Sequence, residues 1–237
     1  MSINTKFRTD EQEIMDDFQM EGKILKEALD KIAQINNLLG GNKLTLQGVQ
    51  QLISNINKNR LITIVDIGCG NGDMLRKLAV FGVNNQFNFH LIGIDANEYT
   101  INYARELSQN YLNISYVCKN VFDKQFSELK CDIVLCTLTI HHFKNNEIED
   151  LLSVFYKNTK IGIVINDLHR NLISYRLFQL LGKVFNLNEM SKQDGLTSIL
   201  RGFKKQELID FSEKLNFKKY TILWKWAFRY QWIIKKG

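Results

Sequence analysis

The run Val65-Asp66-Ile67-Gly68-Cys69-Gly70-Asn71-Gly72-Asp73 constrains this chain more than any other stretch. It follows an apolar, largely β-branched segment, Leu61 to Val65, and opens onto a helix-forming segment, Met74 to Val80. The order strand, glycine turn, helix N-terminus presents bare backbone N–H groups where a ligand can approach. Asp66 sets a carboxylate beside that approach. Such a charge repels a phosphate and suits a cationic ligand.

Two nucleotide-binding readings fail on the residues. A P-loop needs Lys and Ser or Thr after its last glycine, where this chain has Asp73 and Met74. A dinucleotide fingerprint spaces its glycines G-x-G-x-x-G; here Gly68, Gly70 and Gly72 give G-x-G-x-G. The next apolar run, Phe87 to Ile94, ends in Asp95-Ala96. An acid at that strand end is placed to accept hydrogen bonds from ribose hydroxyls.

Strand and helix patterns then alternate, which predicts a parallel sheet with helices on both faces. Expected strands are 61–67, a second ending at Asp95, 114–118, 132–138 and 161–166. Expected helices are 74–81, 97–110, 146–157 and 205–215. The runs 218–226 and 228–234, nearly contiguous and alternating in character, predict an antiparallel hairpin at the sheet edge. The fold class is therefore α/β: a Rossmann-like, seven-stranded, mostly parallel sheet with an antiparallel C-terminal hairpin. Residues 1–58 are expected as an N-terminal helical extension or cap, with one helix over 24–38 stopped by Gly40-Gly41 and another over 45–57. The acidic, weakly periodic stretch 7–20 is given at most a short helix. Residues 59–237 form the main domain, and 168–203 is a helical insert after strand five: an apolar helix over 172–185 and a polar loop over 186–195.

Val65 to Asp73, Leu91 to Asn97 and Cys131 to Thr137, in this order and at these intervals, resemble the class I methyltransferases that use S-adenosyl-L-methionine (SAM). The resemblance implies methyl transfer by in-line displacement, with S-adenosyl-L-homocysteine (SAH) as product. It places Asp66, Gly68, Cys69 and Gly70 on the methionine part of the cofactor and Asp95 and Ala96 on the ribose. It sets Asn120, Val121 and Phe122 around the adenine and Thr137 at the end of strand four. Many relatives carry Asp where this chain has Asn120, so that amide is left open as donor or acceptor. Arg8-Thr9, Met15-Asp16-Asp17, Ile35 to Gly41, Asp167 to Arg170 through Tyr175 to Phe178, Asp194-Gly195 and Arg201-Gly202-Phe203 resemble a subgroup. It comprises ubiquinone- and menaquinone-type and aromatic polyketide-associated small-molecule methyltransferases, which implies an aromatic, phenolic or quinone-like acceptor. The alternatives are an RNA methyltransferase and a SAM-binding domain without turnover. A chain with no proline lacks the proline-containing signatures of the adenine-N6, cytosine-N4 and cytosine-C5 enzymes.

Three of the four histidines follow strand ends: His141 and His142 after strand four, His169 after strand five. Histidine titrates near neutral pH and serves as a general base. His142 and His169 are the candidates for the substrate side, with His141 beside them and Arg170 as holder of an anionic oxygen. The insert and residues 7–20 are expected to cover the acceptor together, because water must be excluded from the reacting atoms.

Cys69, Cys118, Cys131 and Cys136 lack C-x-x-C spacing, which predicts buried thiols, a cytoplasmic setting and no metal site. The net charge of +6 is carried by scattered lysines, which argues for a solvated surface and against a nucleic-acid patch. No secretory leader pattern and no run of about 20 apolar residues is present, so membrane contact is confined to the surface. The sequence leaves the acceptor, the atom methylated and the oligomeric state open.

Overall fold

A computed structural model describes residues 3–123 and 130–237 of the chain. Its centre is a seven-stranded sheet in the order β3-β2-β1-β4-β5-β7-β6. The strands are β1 (Leu61–Ile67), β2 (Asn88–Asp95), β3 (Ile114–Cys118), β4 (Cys131–Thr137), β5 (Thr159–Leu168), β6 (Lys219–Lys225) and β7 (Arg229–Lys235). The first five run parallel, and β7 pairs antiparallel with both β5 and β6. The expected fold class and edge hairpin are therefore present. β4 and β7 are buried along nearly their whole length, as strands covered on both faces must be. The edge strand β6 instead carries Lys219 and Lys225 and is mostly exposed, which blunts further strand pairing.

Side-chain alternation sorts the core into two layers. Ile62, Ile64, Leu91, Ile133, Leu135 and Val164 pack on one face against α2 (Gly41–Ile53), α3 (Asp73–Asn85) and α4 (Glu98–Leu107). Val65, Ile67, Val134, Cys136, Ile163 and Ile165 pack on the other against α5 (Asn145–Asn158) and α8 (Lys205–Lys214). The strand order reverses between β1 and β4, and open α/β sheets bind ligands outside the carboxyl ends at such a switch point. Above that crevice lie α1 (Lys23–Leu38), α6 (Leu172–Val184), α7 (Glu189–Arg201) and an extended N-terminal strap.

Two expectations need correction, and a third is refined. Helix α2 is not part of a separate extension ending at 58: Val49, Leu52 and Ile53 belong to the sheet's own core. The polar stretch 186–195 is not all loop, since Asn188 caps α7 by accepting from Ser191 N–H at 2.8 Å. Asn, Ser and Lys in that window read as loop because the cap and the solvent face of one helix share their composition. The segment 7–20 holds one 3-10 turn, Ile14–Asp16, and is otherwise non-helical.

Helix α2 sits so close to β5 that a Cβ at Gly48 would lie 2.5 Å from Val164 Cγ1. Gly48→Leu should therefore cost about 1–3 kcal/mol through overpacking. Urea unfolding should show a lower midpoint at unchanged slope. An unchanged midpoint would mean that α2 is not packed on the sheet as described.

Candidate active site

The glycine turn is held by the strand beside it. Gly68 and Cys69 N–H donate to Ile94 O at 2.8 and 3.1 Å, and Gly70 N–H donates to the Asp95 carboxylate at 3.2 Å. Gly68, Gly70 and Gly72 all adopt positive φ, between 52° and 77°, which residues with a Cβ rarely tolerate. A Cβ at Gly70 would meet only Leu29 Cδ2, at 3.8 Å, so the backbone there lies open to a ligand arriving under α1. Asp66, Asp73 and Asp95 converge on this end. Burial, then Asp73 and Asp95, push the Asp66 carboxyl well above the usual carboxylate range. Burial also raises Asp95. Carboxylates held this way are stabilised by a cation, which fits the ammonium and sulfonium groups of SAM.

All ten sequence candidates for the cofactor line one cavity: Asp66, Gly68, Cys69, Gly70, Asp95, Ala96, Asn120, Val121, Phe122 and Thr137. The Asn120 oxygen accepts from Phe122 N–H at 3.0 Å, so its NH₂ group is the end left to offer a ligand. Sequence reasoning missed the roof. Leu25 and Leu29 of α1 line the cavity, and Asn42 of α2 donates to Asp73 at 2.6 Å.

The cavity measures about 1280 Å³ and runs from the carboxylates to an apolar end. Leu177, Leu181 and Val184 of α6 form one wall there, and Phe7, Met15 and Phe18 of the strap form the facing one. The strap is bound by polar contacts with distant sequence. The Asp194 carboxylate of α7 accepts from Ile14 and Met15 N–H at 2.7 and 3.0 Å. Arg8 donates to the carbonyls of His141, Phe143 and Arg201. Arg201 reaches Asp16 at 2.6 Å and also holds the His142 carbonyl.

The candidate catalytic residues separate clearly. His141 is buried, with Nδ1 2.6 Å from Asp167 and Nε2 3.6 Å from Glu13. Burial opposes its charge, yet Asp167 and Glu13 raise it to about 9. With its pKa raised in this way it carries charge at neutral pH, and its contacts tie β5 to the N-terminal strap. His142 lines the cavity with its Nδ1 2.7 Å from Asp16. Despite burial, the bonds from His142 and Arg201 hold Asp16 well below the usual carboxylate range. A carboxylate only accepts, so Nδ1 carries the proton and Nε2 keeps the lone pair when the ring is neutral. His169 accepts from Trp224 Nε1–H at its own Nδ1, 3.2 Å away. Burial, Lys204 and Arg170 pull it down to about 4. It is neutral at pH 7, and with Nδ1 accepting from Trp224 its proton sits on Nε2. Arg170 is a correction: it is fully buried and spends its guanidinium on Thr5, Lys6 and Gly202 carbonyls and on Glu207. It closes no anion site.

Among the described residues, Glu13, His141 and His142 form one group able to offer metal ligands, their atoms within 4.8 Å of one another. Arg201 Nη1 lies 3.7 Å from Glu13 and His141 Nε2 3.6 Å.

Comparison with known proteins agrees with this geometry. Residues 64–162 match the family model described as a methyltransferase domain. Curated relatives include carboxy-S-adenosyl-L-methionine synthase of Campylobacter jejuni (strain 81116), 25% identical over 70% of this chain and 73% of that one. The same-named protein of Helicobacter pylori (strain Shi470) is 23% identical over 75% and 76%. Among solved structures, the plantazolicin methyltransferase BamL in complex with SAH and a triazolic desmethylPZN analog superposes with a TM-score of 0.67. It shows 16% identity, covering 90% of this chain and 91% of that one. Magnesium protoporphyrin IX methyltransferase of Synechocystis PCC 6803 with bound SAM gives a TM-score of 0.57 at 14% identity, over 94% and 89%. These structures carry the fold, and residues 64–162 carry the match to a methyltransferase domain. The chain thus contains a methyltransferase domain in a fold shared with methyltransferases solved with SAM or SAH.

Proposed function

We propose that this enzyme methylates a small, aromatic, phenolic or quinone-like acceptor, with His142 as general base and His169 as hydrogen-bond donor to the acceptor. The observation that carries the reading is one continuous cavity with three carboxylates at one end and apolar walls at the other. Its 1280 Å³ exceeds the roughly 300–1,000 Å³ of a single-ligand pocket, which leaves room for a second molecule beside the cofactor. SAM, when bound, supplies a methyl group on a sulfonium that leaves without acid assistance. The chain aligns the acceptor, excludes water and takes up a proton. The His142–Asp16 pair does the last at Nε2. The walls from α6 and the strap do the second, and their apolar side chains, Leu177, Leu181, Met15 and Phe18 among them, suit a ring.

A second reading comes from the curated relatives, whose name makes a carboxylated SAM the product. An added carboxylate would stand against Asp66, Asp73 and Asp95. Arg8 and Arg201 are committed to carbonyls and to Asp16, whereas the buried Arg229 lines the cavity with Nε and Nη1 unpartnered among the described residues and offers a place for such a carboxylate. Methyl transfer is put first on the apolar lining and the matched domain. Mass spectrometry of SAM after incubation with the enzyme and carboxylate donors distinguishes the two.

Asp95→Ala should weaken SAM or SAH binding by roughly 1–3 kcal/mol in calorimetry, as for loss of charge-assisted hydrogen bonds. An unchanged affinity would remove Asp95 from the cofactor site. Against a panel of phenols and reduced quinones, His142→Ala should lower kcat by about 10²–10⁴, with SAM affinity nearly intact. His169→Phe should act mainly on the acceptor's KM. If both variants turn over at wild-type rates, neither histidine serves the reaction.

The strap that carries Asp16 depends on the charge of His141. Its folded pKa of about 9 lies above the ordinary 6.5. The stabilisation is complete below about pH 6.5 and disappears as pH rises through about 9. Limited proteolysis should cut the strap increasingly fast above pH 8.5 or so, and a strap equally protected across that range would contradict the assignment.

A further inference from the structure

Helix α6 is amphipathic the wrong way round for a helix that serves only its own core. Its buried residues are Ser174 and Gly182, whereas Ile173, Leu177, Leu180 and Val184 are 51–73% exposed. These four fall at i, i+4, i+7 and i+11, a single stripe along the helix. Leu177, Leu180 and Val184 also line the cavity, together with the exposed Trp226; the acidic strap on its other side is not part of this surface. Leu172, Ile173 and Trp224 are exposed too and do not line the cavity, so the apolar surface continues past the wall that an acceptor would touch. Single exposed apolar residues need no explanation, but a continuous patch of this breadth marks a docking surface.

We infer that the cavity mouth docks on an anionic lipid surface through the α6 stripe and Trp226. The occupant is argued from charge and residue type. Helix α6 carries Arg176 and Lys183 and no acid, and the whole chain is net +6. Leucines and a tryptophan on one side with basic residues beside them are the pattern of a helix that lies in the headgroup layer. The described residues contain no helix long and apolar enough to cross a membrane, so the contact is peripheral. A mouth resting on lipid would open the cavity to acceptors dissolved in the bilayer. The docking itself does not depend on which acceptor is methylated, and the test below reads no activity.

Sucrose-loaded vesicles of phosphatidylcholine, alone or mixed with equal phosphatidylglycerol, provide the test. The wild-type chain should sediment with the mixed vesicles, less so as salt rises, and tryptophan emission should shift to the blue. Leu172→Glu with Ile173→Glu, both at exposed positions outside the cavity, should keep the melting temperature and weaken sedimentation at least about tenfold, as expected for two aliphatic side chains kept in water. Arg176→Glu with Lys183→Glu leaves the stripe intact and should abolish the preference for anionic vesicles. No sedimentation of the wild type overturns the inference, as does undiminished binding by the glutamate variants. A wild-type dimer in solution that the apolar variant dissolves, without vesicle binding, overturns it in favour of a second copy.

Discussion

Everything above the sheet hangs on a buried charge cluster at the ends of β4 and β5. The His141 imidazolium sits between Asp167 on one side and Glu13 on the other. Arg201 spans Glu13, Asp16 and the His142 carbonyl. Two strands, the strap and α7 meet there, four pieces from separate parts of the chain. Such a cluster is weak evidence for net stability, because desolvating its members costs several kcal/mol each. Removing any one member is another matter, since it would strand the rest as uncompensated buried charge. What the cluster supplies is position: it fixes the strap across the crevice and turns His142 toward the cavity against Asp16.

The split of the two neighbouring histidines into different roles follows from the same arrangement. Identical side chains one residue apart differ because one ring lies between two buried carboxylates and the other meets one carboxylate at the edge of the cavity. His141 is locked in its charged form by Asp167 and Glu13. His142 keeps one nitrogen committed and one available. His169 is set by Trp224 on the edge hairpin, an element more than fifty residues later.

These cases show what the sequence could reveal. The β1 strand, the glycine turn and Asp95 were legible because their geometry is local: a strand period, positive φ, an acid at a strand end. The alternation of strands and helices followed from periodicity. The roles of His141, His169 and Arg170 were not legible, since each is decided by a residue far along the chain. Nor was the place of α2, because an amphipathic helix does not say which sheet it covers. The short subgroup-like matches, Arg8, Asp16, Asp194 and Arg201, looked unrelated in sequence. In space they are the two sides of the strap–α7 junction.

The two ends of the cavity impose opposite demands on its walls. At the switch point the chain crowds carboxylates into a dry site, a cost offset only when a cation is bound. At the mouth it leaves large apolar side chains in water, a cost offset only when something apolar covers them. Neither feature helps the isolated chain fold, and both lie on the same cavity. The dense sheet core beneath, with Trp232 and Phe155 fully enclosed, is what allows the rim to carry them. The fold's stability resides in the layers packed on the two faces of the sheet, while its chemistry resides in the unfavourable charges and exposed apolar surface gathered at its carboxyl edge.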